Sequence, residues 1–144
     1  MLRLNQNIIE AIHAHGIASY PYEGCGLLLG RAEPELNLVE EIFPVPNSWE
    51  VEEEKPVRFL ITDRDMLRAE LAAAERDLDI VGIFHSHPDS PAVASPRDLA
   101  WAAWPGHSYL ITEISNRQPG PSRSWQLQPD RSGFTEEPIT IDQP

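Results

Sequence analysis

An α/β fold, with a mixed sheet flanked by about three helices in one domain spanning residues 1–144, is the architecture this sequence predicts. Short apolar runs bounded by glycine or polar turns recur along the chain, and these mark buried strands. Helical spacing falls between them, with helix-start signals at Thr62 and at Ser95-Pro96. No internal repeat or linker divides the chain, and 144 residues are enough to bury one core.

The elements follow in order. Leu4, Ile8, Ile9, Ile12 and Ile17 fall on a helical stripe that Pro21 ends. Gly26-Leu27-Leu28-Leu29-Gly30 is a buried-strand signal, and Leu36 to Phe43 reads as its hairpin partner across a turn containing Pro34. Residues 44–56 hold Pro44, Pro46, Pro56 and the acidic run Glu52-Glu53-Glu54, the composition of an exposed loop. Val57 to Ile61 reads as a strand. Thr62 caps the next helix, with Asp65 completing a capping box, and Met66, Leu67, Leu71, Ala74 and Leu78 form its apolar face.

Asp79 to Phe84 is a core strand running into His85-Ser86-His87-Pro88. Ser95-Pro96-Arg97-Asp98 opens a short helix through Trp104, with proline first and an acid third. Tyr109-Leu110-Ile111 and Trp125-Gln126-Leu127 read as strands, with Pro119-Gly120-Pro121 in the loop between them. Gly133 to Ile141 adds a final edge strand. The four tryptophans read as core or interface anchors.

Charge narrows the function. Eleven Lys and Arg against 23 Asp and Glu leave a net charge of −12, which excludes the clustered basic surface that nucleic acid or anionic lipid needs. Cys25 is the single cysteine, so neither an intrachain disulfide nor a cysteine-based zinc cluster can form. With no signal peptide or membrane-length apolar run, the protein reads as cytoplasmic.

His85 and His87 stand two apart at the end of an apolar strand, so their side chains leave the same face and can converge on one ion. Asp98, in the first turn of the following helix, can return to that point. Two imidazoles and one carboxylate leave a fourth tetrahedral position open, the ligand count of a catalytic zinc site. Such a hydrolase also needs a base, and Glu23, beside the Gly24-Cys25-Gly26 turn, is the candidate among many acids. Each residue has a blander reading. His-x-His can be a polar rim, Ser95 and Asp98 a simple capping box, and Glu23 a solvated acid. Cys25 reads as a small buried residue, and His13, His15 and His107 as boundary positions.

His85-Ser86-His87-Pro88, seven residues, Ser95, two residues and Asp98 resemble the motif of the JAMM (MPN-plus, Mov34/MPN/PAD-1-like) zinc metallopeptidases. Glu23-Gly24-Cys25-Gly26-Leu27-Leu28-Leu29-Gly30 is similar to that family's Glu-x-Cys-Gly-Leu-Leu-x-Gly segment. The resemblance implies the MPN (cytidine-deaminase-like) fold and one Zn²⁺ held by His85, His87 and Asp98. It implies Glu23 as general base and acid, and Ser95 as the oxyanion donor. The implied reaction is hydrolysis of an amide bond at the C-terminus of a ubiquitin-like or sulfur-carrier protein with an extended tail, as in a carrier–cysteine adduct. The rival readings are a catalytically silent MPN-type scaffold, which would have lost ligands or base, and a zinc amidohydrolase of another substrate. Gly24 departs from the family pattern, where a larger residue often stands. The oligomeric state is not legible from the sequence.

Overall fold

The computed structural model describes the backbone of residues 1–144 and every side chain except those of residues 100 and 101. In chain order the elements are β1 (Leu2–Asn5), α1 (Gln6–Ser19), β2 (Cys25–Glu33), β3 (Leu36–Val45) and a 3₁₀ turn at Glu52–Glu54. These are followed by α2 (Asp63–Glu75), β4 (Asp79–Pro88), α3 (Pro96–Trp101), β5 (Ser108–Ser115), β6 (Gln118–Leu127), β7 (Phe134–Glu137) and β8 (Ile139–Asp142). The strands form one sheet in the order β7-β6-β5-β4-β2-β3-β1-β8. β4–β5, β1–β3 and β1–β8 are parallel pairs and the others antiparallel, so the sheet is mixed. No helix among the described residues is long and apolar enough to cross a membrane.

β7 and β8 occupy opposite edges of this sheet, yet Pro138 alone separates them. A flat sheet of this width would hold its edges roughly 34 Å apart at about 4.8 Å per strand, so the sheet must roll until they meet. They meet around Glu137. Its buried carboxylate accepts from Ser124 Oγ at 2.7 Å and Gln126 Nε2 at 3.0 Å and pairs with the Met1 ammonium at 2.9 Å. A single terminal edge strand, expected over Gly133 to Ile141, is therefore two strands.

Alternation along β2 divides the core. Leu28 points toward α1 and packs with Ile8, Ile9, Ile12, Val81, Phe84 and Leu110. Leu27 and Leu29 point the other way, to Ala69, Ala73 and Ile83 beneath α2. A register shift between Leu28 and Leu29 in the β2–β4 pair changes the phase of β4, which lets Val81 and Phe84 share a face.

Several expectations are corrected. Leu4 belongs to β1, and Asn5 caps α1 by accepting from Ile8 N at 3.0 Å. Residues 57–61 form no strand. Their backbone bonds the 47–48 loop instead, with Ser48 N donating to Leu60 O at 3.0 Å and Leu60 N to Asn47 Oδ1 at 3.3 Å. On α2 the buried small residues are Ala69 and Ala73, while Leu67 is 54% and Leu71 58% exposed. Small side chains let the helix sit close to the sheet. Thr62 caps α2 as expected, but the Asp65 carboxylate goes to Arg68 at 3.0 Å.

Pro119-Gly120-Pro121 lies inside β6, where residues 118–123 have no partner on the β7 side and prolines are tolerated. The β5–β6 turn is instead Asn116-Arg117, both with positive φ, as a two-residue hairpin requires. α3 ends at Trp101 rather than Trp104. The N–H groups of Ala103 and Trp104 donate to Tyr109 Oη at 3.2 and 3.1 Å, and Pro105 disfavours a helical Trp104. Trp49 and Trp125 are half-buried and Trp104 is 39% exposed; the side chain of Trp101 lies outside the described residues.

Candidate metal centre

β4 brings the histidines to one place. His85 and His87 leave the α2-side face of the strand and are 3% and 6% exposed. Pro88 is the last residue of β4, and the chain returns through residues 89–95 to α3. Ser95 and Asp98 there form a complete capping box: Asp98 N donates to Ser95 Oγ at 3.2 Å and Ser95 N to Asp98 Oδ2 at 2.7 Å. The box turns the Asp98 carboxylate toward the strand, so capping and site formation are one arrangement rather than alternatives.

The three side chains converge closely. His85 Nε2 lies 3.2 Å from His87 Nε2 and 3.1 Å from Asp98 Oδ1, and His87 Nε2 lies 3.2 Å from Asp98 Oδ2. Ligands about 2.0–2.1 Å from a tetrahedral ion stand roughly 3.3 Å apart, so this triangle has the size of one face of a zinc tetrahedron. These donors are the only described residues grouped to hold a metal ion.

The surrounding residues fix their orientation. His87 Nδ1 faces Pro91 O at 2.8 Å, which directs Nε2 at the site as second-shell carbonyls do for metal-bound histidine. The His85 ring stacks on Phe59 with centroids 4.6 Å apart. Burial works against the ionised form of Asp98, but the two histidines and the Ser95 N–H outweigh it and hold the carboxyl well below the usual range. Burial also lowers His87, yet hydrogen bonds to Asp98 and Pro91 raise it overall.

Glu23 enters from β2's leading turn. Its N–H donates to Lys55 O at 2.9 Å and its carbonyl accepts from Asn47 Nδ2 at 3.0 Å. Gly24 is clamped to Ser86: Gly24 N donates to Ser86 Oγ at 2.8 Å and Ser86 N to Gly24 O at 2.9 Å. The residue between the two histidines thereby ties the acid's backbone to the ligand strand. A Cβ at Gly24 would fall 2.7 Å from Ser19 Oγ, so a larger residue there requires the Ser19 side chain to turn away.

The Glu23 side chain is 5% exposed, and no described donor bonds its carboxylate. Burial pushes it up to about 7, against the opposing pull of His85 and His87. Glu23 shares one cleft with His87, Ser95 and Arg97 and a second with Phe59, Arg97 and Asp98. An apolar cavity of ≈ 100 Å³ lined by Phe59, Met66, Trp104 and Phe134 also reaches His85 and Asp98.

The structure thus brings together His85, His87, Ser95 and Asp98, linked by spacing, and Glu23, the candidate base. The others lie elsewhere. Asp89 holds Tyr20 Oη and Asn116 N, and His15 Nε2 faces Cys25 O at 3.0 Å. Burial pushes the Cys25 thiol up to about 12, too high for a nucleophile. The roles of Ser86 and the Pro91 carbonyl had no sequence signal, because each acts through main-chain contacts that short spacing does not encode; Pro46-Asn47 and Arg58-Phe59 carried only a weak family similarity with no role attached.

Comparisons with known proteins bear on the family and the fold. The family model for prokaryotic homologues of the JAB domain matches residues 5–128. The chain is 36% identical over 105 residues to a probable TtuB-protein conjugate cleaving protease of Thermus thermophilus, a match covering 72% of this chain and 65% of that one. The chain thus spans just under two thirds of that relative's length. It is 26% identical over 142 residues to the CysO-cysteine peptidase of Mycobacterium tuberculosis, covering 98% and 91%. The solution structure of a Desulfitobacterium hafniense protein superposes with a TM-score of 0.87 at 31% identity, covering 100% of this chain and 94% of the other. The fold is the MPN/JAB fold.

Proposed function

This chain belongs to the family of prokaryotic JAB-domain homologues, and from that premise we propose that residues 1–144 are one zinc-dependent isopeptidase or peptidase domain. Its substrate is an amide at the C-terminus of a ubiquitin-like or sulfur-carrier protein; the reading is supported by relatives named as a probable TtuB-protein conjugate cleaving protease and a CysO-cysteine peptidase. The observation that carries this reading is the 3.1–3.2 Å triangle of His85, His87 and Asp98, with a buried, donor-free carboxylate facing the same cleft.

His85, His87 and Asp98 would hold the zinc, which would supply Lewis acidity and acidify water at the site toward a pKa of about 7. Glu23, itself near 7, takes the proton of the attacking water and returns it to the departing amine nitrogen as the C–N bond breaks. Ser95 Oγ already accepts from Asp98 N, so its own O–H is free to donate to the oxyanion. The apolar cavity beside His85 takes an apolar side chain of the carrier's extended tail. A reducing, cytoplasmic setting suits a protein whose one thiol is buried. A silent scaffold would need neither the triangle nor the buried acid.

Intact-mass analysis of a Gly-Gly-terminated carrier bearing a C-terminal cysteine tests the proposal. Zinc-loaded protein is expected to release the cysteine, and protein stripped by chelator is not. Cleavage undiminished after metal removal would overturn the metal-dependent reading.

A further inference from the structure

Arg97 has no structural explanation where it stands. Its side chain is exposed and makes no hydrogen bond or ion pair with a described residue, whereas Arg58, Arg68, Arg76 and Arg123 hold Glu54, Asp65, Glu41 and Glu136. It lies in the first turn of α3, immediately before Asp98, where the helix dipole disfavours a cation. The one group its charge is seen to act on is the Glu23 carboxylate, which it favours in the ionised form, so its charge bears on the site itself.

Its surroundings say which function. Arg97 lines both clefts that contain Glu23, the larger of ≈ 220 Å³ with His87 and Ser95. The apolar cavity is lined by Phe59, Met66, Trp104 and Phe134 and contains no cation. The clefts that hold Glu23 and the neighbouring apolar cavity therefore differ in charge. In a chain of net charge −12, a cation without an ion-pair partner beside the reacting position offers an incoming anion a counter-charge that the apolar cavity lacks.

Resting on the amide-hydrolase reading, we infer that Arg97 is a specificity residue that binds the free α-carboxylate of a single amino acid leaving from the carrier's C-terminus. In such an adduct the carboxylate lies two bonds from the scissile nitrogen, within a guanidinium's reach of the reacting carbonyl, and its planar pair of oxygens matches the bidentate donors of arginine. A lysine side chain in an isopeptide offers only methylenes there. Charge at this one position thus favours removal of an α-linked amino acid over release from a protein lysine.

The test uses a Gly-Gly-terminated ubiquitin-like carrier extended by one cysteine, prepared with a free C-terminal carboxylate and as the carboxamide. Zinc-loaded wild-type protein is expected to favour the acid at least tenfold in kcat/KM, mostly through KM. Arg97→Gln brings that ratio to within about twofold of one, and Arg97→Lys retains part of it. Native mass spectrometry showing one zinc per chain in each variant establishes that the site is intact. Equal cleavage of acid and amide by wild type, or a preference that survives Arg97→Gln, overturns the inference while leaving the hydrolase standing. Cleavage of neither substrate by zinc-loaded wild type overturns the hydrolase reading and this inference with it.

Discussion

Glu23 and Glu137 are both buried glutamates, 5% and 8% exposed, and they have opposite surroundings. Glu137 sits where the rolled sheet closes, with Ser124, Gln126 and the chain's own ammonium around it. Glu23 stands beside the metal triad with no donor on its carboxylate, and burial pushes it up to about 7. Both residues are buried, but the Glu137 oxygens are taken by protein donors and make a structural joint, while those of Glu23 open without a protein donor on the cleft, where a base must meet water. Burial alone does not distinguish them; the donors do. The backbone around Glu23 is as well held as any, by Lys55, Asn47 and Ser86, so the absence of side-chain donors is a local feature of a rigid frame.

The largest effect that would break this contrast lies at the triad. Asp98→Ala removes a ligand and one half of the α3 cap together. Zinc content is expected to fall from one per chain to near zero, and turnover with it; wild-type zinc affinity in this variant would mean that the ligand set is wrong. Next comes Glu23→Gln, expected to lower kcat by about 10²–10⁴ while zinc stays bound.

The same variant sharpens the contrast through stability. Glu23 is raised from 4.5 to about 7 in the folded protein, so between those values the native state holds a proton that the unfolded chain has released. Native stability therefore falls as pH rises through that window, by about 3 kcal/mol in all. Urea titration of the zinc-free proteins is expected to find Glu23→Gln more stable than wild type by up to that amount at pH 8, and the two alike at pH 4. Equal stability at both pH values would remove the claim of a strained carboxylate.

Glu137→Gln should do the reverse. It leaves buried donors poorly matched and costs about 1–3 kcal/mol, with kcat unchanged. A comparable loss of kcat would show that the closure is coupled to the site. The smallest effect is expected at Ser86→Ala, which deprives Gly24 N of its acceptor. Stability drops by about 1 kcal/mol and kcat falls several-fold as Glu23 loosens, and an unchanged kcat would show that the clamp does not position the base.

Of the candidate site, His85, His87, Ser95 and Asp98 were legible because short spacings tie them together, whereas Glu23 lies far off in sequence and stood out among many acids only through the family resemblance. The strands at its centre were legible for a related reason: β2 and β4 are buried on both faces and read as continuous apolar runs. The errors fall where tertiary partners override local pattern. Leu4 fits a helical spacing with Ile8 and Ile12, but its backbone pairs with β8. Residues 57–61 have strand composition, but Asn47 captures their hydrogen bonds. Leu67 and Leu71 fit an apolar stripe, yet Ala69 and Ala73 face the sheet. The division of the last segment between two sheet edges depends on the roll of the whole sheet, which no local window contains.

The central claim, that a metal triad and an unsatisfied Glu23 together hydrolyse the amide, is tested most directly by one paired measurement. Zinc-loaded wild type and Glu23→Gln are examined by native mass spectrometry and then mixed with the carrier–cysteine adduct. One zinc in each, with cysteine released by wild type alone, is the expected result. Full cleavage by Glu23→Gln, or wild type that holds zinc and leaves the adduct intact, would contradict it.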